Sequence, residues 1–234
     1  ERYGQFPLWT PLILSGMPLM SNQLAMLFYP LNVLFLLLPI NLTFNLLFII
    51  HIFLAGAGLY LFMRYGLGTS GLASTIAALS FMFTGKLLAH VAGGHVSMVG
   101  ALAWLPWVFL FTHLALSKGD LRYSLLAGLV LALQVATHTQ ILIYTAYALL
   151  AYSLYQIWAS RRADRWLTQS LKMLIPILFV FVLLGAVQIL PLVEMAPYSN
   201  RALSLSEASA YSLSPLTLFV GLFLPSNKAG HELT

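Results

Sequence analysis

The chain has 234 residues, of which 60% are hydrophobic and only 7% charged, with a formal net charge of +5 and a mean hydropathy of +0.90. Apolar runs of about 18 residues or more recur, which marks helices that cross a bilayer and excludes an ordinary water-soluble domain. Lipid offers the backbone no hydrogen-bonding partner, so only helices or a closed barrel can span it. The runs are longer and less alternating than the roughly ten-residue strands of a barrel, which predicts an all-α, polytopic transmembrane helical bundle.

The basic residues are strung through the loops instead of forming a patch, which argues for topology signals and against a nucleic-acid partner. Cysteine is absent, so disulfides and thiolate metal sites are excluded. The sequence opens on Glu1 without a basic-then-apolar leader and stops at Thr234 soon after an apolar run. The expectation is a single transmembrane domain over 1–234 that is a fragment of a longer protein.

Residues 1–20 hold three prolines, two glycines and Trp9, a mixture that forbids a regular helix and predicts an ordered external loop at the membrane interface. Residues 21–38 are apolar but broken by Pro30 and ended by Pro39, which predicts an interfacial or re-entrant helix. Six to seven spans are then expected over 42–224: 42–63, 72–89, 96–116, 121–137, 141–159, 174–192, and one more beginning in 213–224. Ala55, Gly56, Ala57 and Gly58 make a small-residue face that lets another helix approach closely. No fixed-period repeat and no inverted pair of broken helices is visible.

Lysine and arginine counts orient the spans. Arg64, Lys118, Arg122, Arg161, Arg162, Arg165 and Lys172 fall on one side, and Arg2, Lys86, Arg201 and Lys228 on the other. The richer side is read as cytoplasmic, with Asp120 and Asp164 as local partners. The external face then receives residues 1–20, Lys86, His90, His95, His138, Glu194, Arg201 and Glu207.

Histidines therefore gather where helices turn around at one face. The segment 121–159 must be a tight helical hairpin whose tip carries Gln134, Thr137, His138, Thr139 and Gln140. Such a tip either satisfies the free amides and carbonyls of two helix ends or faces a cavity and binds a polar ligand. In HVAGGHV, residues 90–96, His90 and His95 flank a flexible turn, with Lys86 one turn before His90. That turn either is a plain solvated loop or offers backbone amides and an ammonium group to a phosphate. Zinc would need three or four ligands, and His90, His95, His138 and Glu194 supply them only if the fold converges them; no metal ligand is assigned.

Glu194 follows residues 190–193 at the outer end of a span, where a carboxylate withdrawn from water can act as a base or bind a sugar hydroxyl. Its simpler role is an ion pair with Arg201 or a helix-end residue, and Arg201 is itself a candidate phosphate ligand. His51 and His113 lie inside apolar helices and read as packed or interhelical hydrogen-bonding groups. Trp104, Trp107, Trp158 and Trp166 read as interface anchors. No nucleophile elbow, phosphate loop, dinucleotide fingerprint or metalloprotease motif occurs.

A series of short motifs runs along nearly the whole chain: PLWTP at 7–11, GMP at 16–18, Tyr29-Pro30, His51 with Ala55-Gly56 and Tyr60, and FTG at 83–85 with Gly94-His95. It continues with WLP at 104–106, HTQ at 138–140 with Tyr144, QILP at 188–191 with Glu194, SNR at 199–201, and Leu224-Pro225. Taken in order, the series resembles the bacterial YfhO-like membrane protein family. The resemblance implies a GT-C-like glycosyltransferase of the cytoplasmic (inner) membrane that moves a sugar from a polyprenyl-phosphate carrier to an extracytoplasmic cell-envelope glycan or lipid acceptor. It implies an inverting reaction whose acidic base lies in the first external loop, which is expected upstream of Glu1. Lys86, His95 and Arg201 would then hold phosphate, with His90 a further substrate-binding candidate, while Glu194, His138 and Gln140 would bind sugar or acceptor hydroxyls and Glu194 is the catalytic candidate of this chain. No cofactor is evident, and dependence on a divalent metal is left open. The rival readings are a transporter or flippase of lipid-linked sugars and a non-catalytic membrane scaffold.

Overall fold

The computed structural model describes residues 8–11, 16–159 and 166–198. Arg161, Arg162, Asp164, Arg165, Arg201, Glu207, Lys228 and the span expected from 213 lie outside them.

The proline-rich start forms short elements only. β1 (Trp9–Thr10) pairs antiparallel with β2 (Met17–Pro18), Trp9 opposite Pro18, so this stretch is not wholly irregular. The helix expected over 21–38 is replaced by two 3-10 turns, Gln23–Ala25 and Pro30–Val33, and the single turn α1 (Leu34–Leu37). The Asn22 side chain caps the first of them. Proline can begin a helical turn but cannot continue one, and Pro39 stops α1.

The long helices follow: α2 (Ile40–Leu61), α3 (Gly71–Met82), α4 (Gly85–Ala92), α5 (Val96–Lys118), α6 (Leu121–Thr137), α7 (Thr139–Ala159) and α8 (Trp166–Met195). α2 runs on into a π turn over Phe62–Gly66. Polar residues start the helices where the sequence supplies them: Ser70 accepts from Ala73 N at 3.2 Å, Thr84 from Leu87 N at 3.4 Å and Asp120 from Arg122 N at 2.9 Å, each satisfying an amide that lacks a helical partner. Thr84 thereby divides the expected span 72–89 into α3 and α4. α8 begins earlier than expected and contains Pro176 and Pro191, as membrane helices tolerate when neighbouring groups take up the freed carbonyls.

Among the described residues, five helical stretches are long and apolar enough to cross a membrane: Ile40–Gly66, Gly71–Ala92, Val96–Lys118, Thr139–Ala159 and Leu167–Tyr198. The chain is a multi-pass, all-α membrane protein. α5 is its centre, since 56% of its most apolar window is buried against 17–28% in the other four. α5 packs along α2 on one side and α6 on the other. Val108, Ala127, Val130, Leu131, Val135, Leu142 and Ile177 form one core cluster, whereas Met26, Tyr29, Leu47, Val96 and Ala136 form a second. The second cluster ties the short N-terminal elements to α2, α5 and α6. The outward sides of α3, α7 and α8 carry exposed Leu72, Tyr147 and Phe179, as lipid-facing surfaces do.

Gly119 and Asp120 alone join α5 to α6, and His138 alone joins α6 to α7, so successive helices reverse direction. Arg64, Lys118 and Arg122 therefore gather at one end of the bundle, with His95 and His138 at the other. By its internal contacts the chain divides into two compact units, Glu1–Leu192 and Val193–Thr234. The described part of the second is the last turn of α8 and the 3-10 turn Ala196–Tyr198.

The small-residue face works as read from the sequence: a Cβ on Gly56 would strike the Met82 side chain, and one on Gly58 would lie 2.5 Å from Trp107 Nε1. Gly94 has a φ of +71° and open space around it, so its need for glycine is conformational. Gly94→Ala is expected to cost about 1–2 kcal/mol, read as a lower melting temperature of the purified protein in detergent.

Candidate functional site

At the histidine end of the bundle a cavity of about 530 Å³ opens between the N-terminal elements and the start of α5. Leu24, Met26, Phe35, Phe44, Val96 and Met98 give it apolar walls, while Asn32, His95, Ser97 and His138 bring polar groups to the same space. Its volume lies within the range of small-molecule sites, which are mostly apolar with a few placed polar groups. All its lining residues belong to the first unit, and none is a carboxylate.

His138 reaches the cavity because the chain turns from α6 to α7 on this one residue, in extended conformation at φ −155° and ψ 111°. Its amide donates to Gln134 O at 3.0 Å and its carbonyl accepts from Leu142 N at 3.2 Å. The rest of the expected polar tip is divided between structure and solvent. Gln134 is fully buried and donates from Nε2 to Ala101 O and to Thr145 Oγ1, each at 2.9 Å. Thr137 donates to Gln134 O at 2.7 Å. The Thr139 amide donates to Gln23 Oε1 at 3.2 Å, binding the tip to the N-terminal elements. Gln140, expected to bind ligand, is exposed, donates to Tyr144 along its own helix at 2.9 Å and does not line the cavity.

The expected anion cradle at 90–96 is not formed. Gly93 N donates to Ala89 O at 2.9 Å, Gly94 N to Val91 O at 3.0 Å, His95 N to His90 O at 2.9 Å and Val96 N to Gly94 O at 3.0 Å. The amides are consumed in ending α4 and cannot serve a phosphate. Lys86 is exposed on the first turn of α4 and does not line the cavity, and His90 touches it only through His95, whose Nδ1 lies 3.2 Å from its own. Among the described residues no group of three or more His, Asp or Glu side chains converges, so the zinc arrangement weighed for His90, His95 and His138 is absent. Glu194 is exposed on the last turn of α8, in the second unit, and Arg201 lies outside the described residues.

The wall of the cavity is held by residues whose pairing the sequence does not reveal. His51 is fully buried, and its Nδ1 faces Leu47 O at 2.6 Å. A carbonyl only accepts, so Nδ1 carries the proton and Nε2 is left to accept from the Tyr29 hydroxyl at 2.7 Å. The Tyr29 oxygen in turn accepts from Trp104 Nε1 at 2.9 Å. Burial pushes the Tyr29 phenol up from its ordinary value, more than the Trp104 hydrogen bond lowers it, so its proton stays in place as a donor. Asn32 adds a second tie, donating from Nδ2 to Ala25 O at 3.1 Å and Met26 O at 2.8 Å, while its buried Oδ1 has no hydrogen-bond partner among the described residues. Gln188 donates to Met20 O at 3.2 Å from α8.

His51 and His113 are thus hydrogen-bonded between elements, as their apolar surroundings predict. His113 Nδ1 stands 2.7 Å from the Tyr152 hydroxyl and 3.1 Å from Gln156 Nε2. The reading of Trp104 and Trp107 as interface anchors is corrected: Trp104 bonds Tyr29, and Trp107 donates to Leu54 O at 2.9 Å, so both join α5 to its neighbours. Their ring N–H groups find partners inside the bundle because α5 is central.

Comparison of the chain with protein-family models, with curated proteins and with solved structures finds no match.

Proposed function

We propose that the protein is a GT-C-type membrane glycosyltransferase that moves a sugar from a polyprenyl-phosphate carrier to a cell-envelope acceptor on the external face of the bacterial cytoplasmic membrane. The observation that supports it best is the cavity at the histidine end of the bundle, where His95, His138, Ser97 and Asn32 adjoin apolar walls and the outer helix surfaces are lipid-facing. A lipid-linked sugar has the same division, with a polar head beside an apolar tail. The motif series that resembles the YfhO-like family supplies the reaction class.

In this reading His95 and His138 donate hydrogen bonds to leaving phosphate oxygens or sugar hydroxyls, where positioned donors stabilise developing charge. Glu194 enters this reading through the motif series alone, as a candidate base for the acceptor hydroxyl. His138→Ala in the full-length protein is expected to lower transfer of labelled sugar from polyprenyl phosphate into envelope polymer by roughly 10- to 100-fold, and Glu194→Gln is assayed beside it. Unchanged transfer in both variants overturns the assignment. Labelled lipid that crosses the membrane without a covalent product identifies a flippase instead.

A further inference from the structure

The turn between α4 and α5 is built more carefully than a connector requires. His90 lies in the last turn of α4, Gly93 and Gly94 reverse the chain, and His95 precedes α5. The His95 N–H donates to His90 O at 2.9 Å, and Gly94 takes a φ of +71° that only glycine adopts readily. A Cβ on Gly93 would lie 3.1 Å from His95 Cε1 and 3.3 Å from its Nδ1. Gly93 therefore leaves the space in which the His95 imidazole lies back over the turn, and the two Nδ1 atoms come to 3.2 Å.

Two neutral imidazoles in this position can place only one proton between them, so one Nδ1 lone pair accepts and the other nitrogen donates. A metal ion can replace that proton. Two nitrogens bound to one ion at about 2.0–2.1 Å and at the tetrahedral angle stand about 3.3 Å apart, close to the separation already present. His95 is exposed, so an ion in solution can reach the pair. Imidazole donors without a carboxylate favour a transition metal such as zinc over magnesium or calcium. Lys86, the one formal charge on α4, lies one turn before His90 and is exposed; its positive charge opposes a bare cation at His90, so the ion needs an anionic oxygen as a further ligand. Because His95 also lines the cavity, such an oxygen can come from a molecule held there as well as from water.

We propose that His90 and His95 form a two-histidine binding site for a transition-metal ion of the zinc class at the rim of the cavity, prearranged by Gly93 and Gly94. The site does not depend on the glycosyl-transfer reading and is tested without an activity assay. The full-length protein, freed of any histidine tag, is titrated in detergent with Zn²⁺ alone against a chromophoric chelator. One zinc per chain is expected at micromolar concentration. His90→Ala and His95→Ala should each weaken it by about tenfold or more, because half of the protein's donors are lost, while His138→Ala should change it by less than about twofold. Gly93→Val, which displaces the His95 ring without removing a donor, should also weaken it.

Binding that survives both single histidine variants, or that falls as far in His138→Ala as in His95→Ala, overturns the assignment, as does failure of the unaltered protein to take up zinc. A measurement free of substitutions closes the test: Cu²⁺ bound to the unaltered protein should show electron paramagnetic resonance splitting from two imidazole nitrogens, and splitting from any other number would falsify the two-histidine site.

Discussion

Gly128→Leu is expected to prevent α6 and α8 from packing and to leave little folded protein in a detergent extract. A Cβ at Gly128 would lie 2.6 Å from the Ile177 carbonyl oxygen and 2.7 Å from Val180 Cβ. The first of these is backbone, so no rotamer change relieves it. Ile177, Ala127 and Leu131 belong to the same buried cluster, and displacing α8 strips contacts from all of them. Small residues let membrane helices approach until their backbones touch, and enlarging one in a closed contact typically costs about 1–3 kcal/mol, occasionally more. Gly128→Ala should therefore lower stability by about 2 kcal/mol, and leucine, with three further carbons, by more than that. Gly71→Ala is the control. Gly71 sits at the start of α3, where an added Cβ would meet nothing within 4 Å, and the substitution should leave the melting temperature nearly unchanged. Size-exclusion profiles and thermal unfolding of the three variants decide the matter; a Gly128→Ala protein as stable as Gly71→Ala would mean that α6 and α8 are not in this contact.

His51→Leu is expected to cost about 2 kcal/mol, chiefly because it strands a buried hydroxyl. The histidine accepts from Tyr29, which accepts from Trp104, and leucine of similar bulk fills the space without offering a lone pair. The Leu47 carbonyl loses its second donor at the same time. Tyr29→Phe should cost a comparable amount, since it leaves both His51 Nε2 and the Trp104 N–H unmatched. The informative quantity is the double variant. If the three groups act as one chain, its cost is well below the sum of the two single ones, whereas simple additivity shows that they act independently. The same variants should loosen the N-terminal elements that carry Met26 and Asn32, so the cavity wall is expected to become accessible to protease at residues 22–33 before the long helices unfold.

The helices themselves could be read from local information. Hydropathy over a span, Ser70 and Thr84 and Asp120 at helix starts, and Gly119 with its φ of +67° at a helix end all act within a few residues of one another. For that reason the all-α bundle, the helices near 42–63, 96–116, 121–137 and 141–159, and the grouping of His95 and His138 at one end follow from the chain alone. The division of 72–89 depended on a single capping threonine inside an apolar run, where hydropathy carries no signal. The short N-terminal turns depended on how Pro30 and Pro39 meet the bundle.

The cavity belonged to the other kind of information. His95 and His138 are 43 residues apart in a chain whose intervening helices make them neighbours, and Asn32 and Met26 join them only because Tyr29 is bonded to His51 and to Trp104, 75 positions away. Hydropathy counts Lys86 and Gln140 as equally good candidates, yet they point elsewhere, since a helix turns about 100° per residue and one position changes the face. Sequence thus determined where the long helices run and at which end His95, His138, Arg64, Lys118 and Arg122 lie, because those follow from local backbone and solvent chemistry. Only the tertiary structure decided which polar groups share one space, because that is set by side-chain packing and hydrogen bonds between residues far apart in the chain.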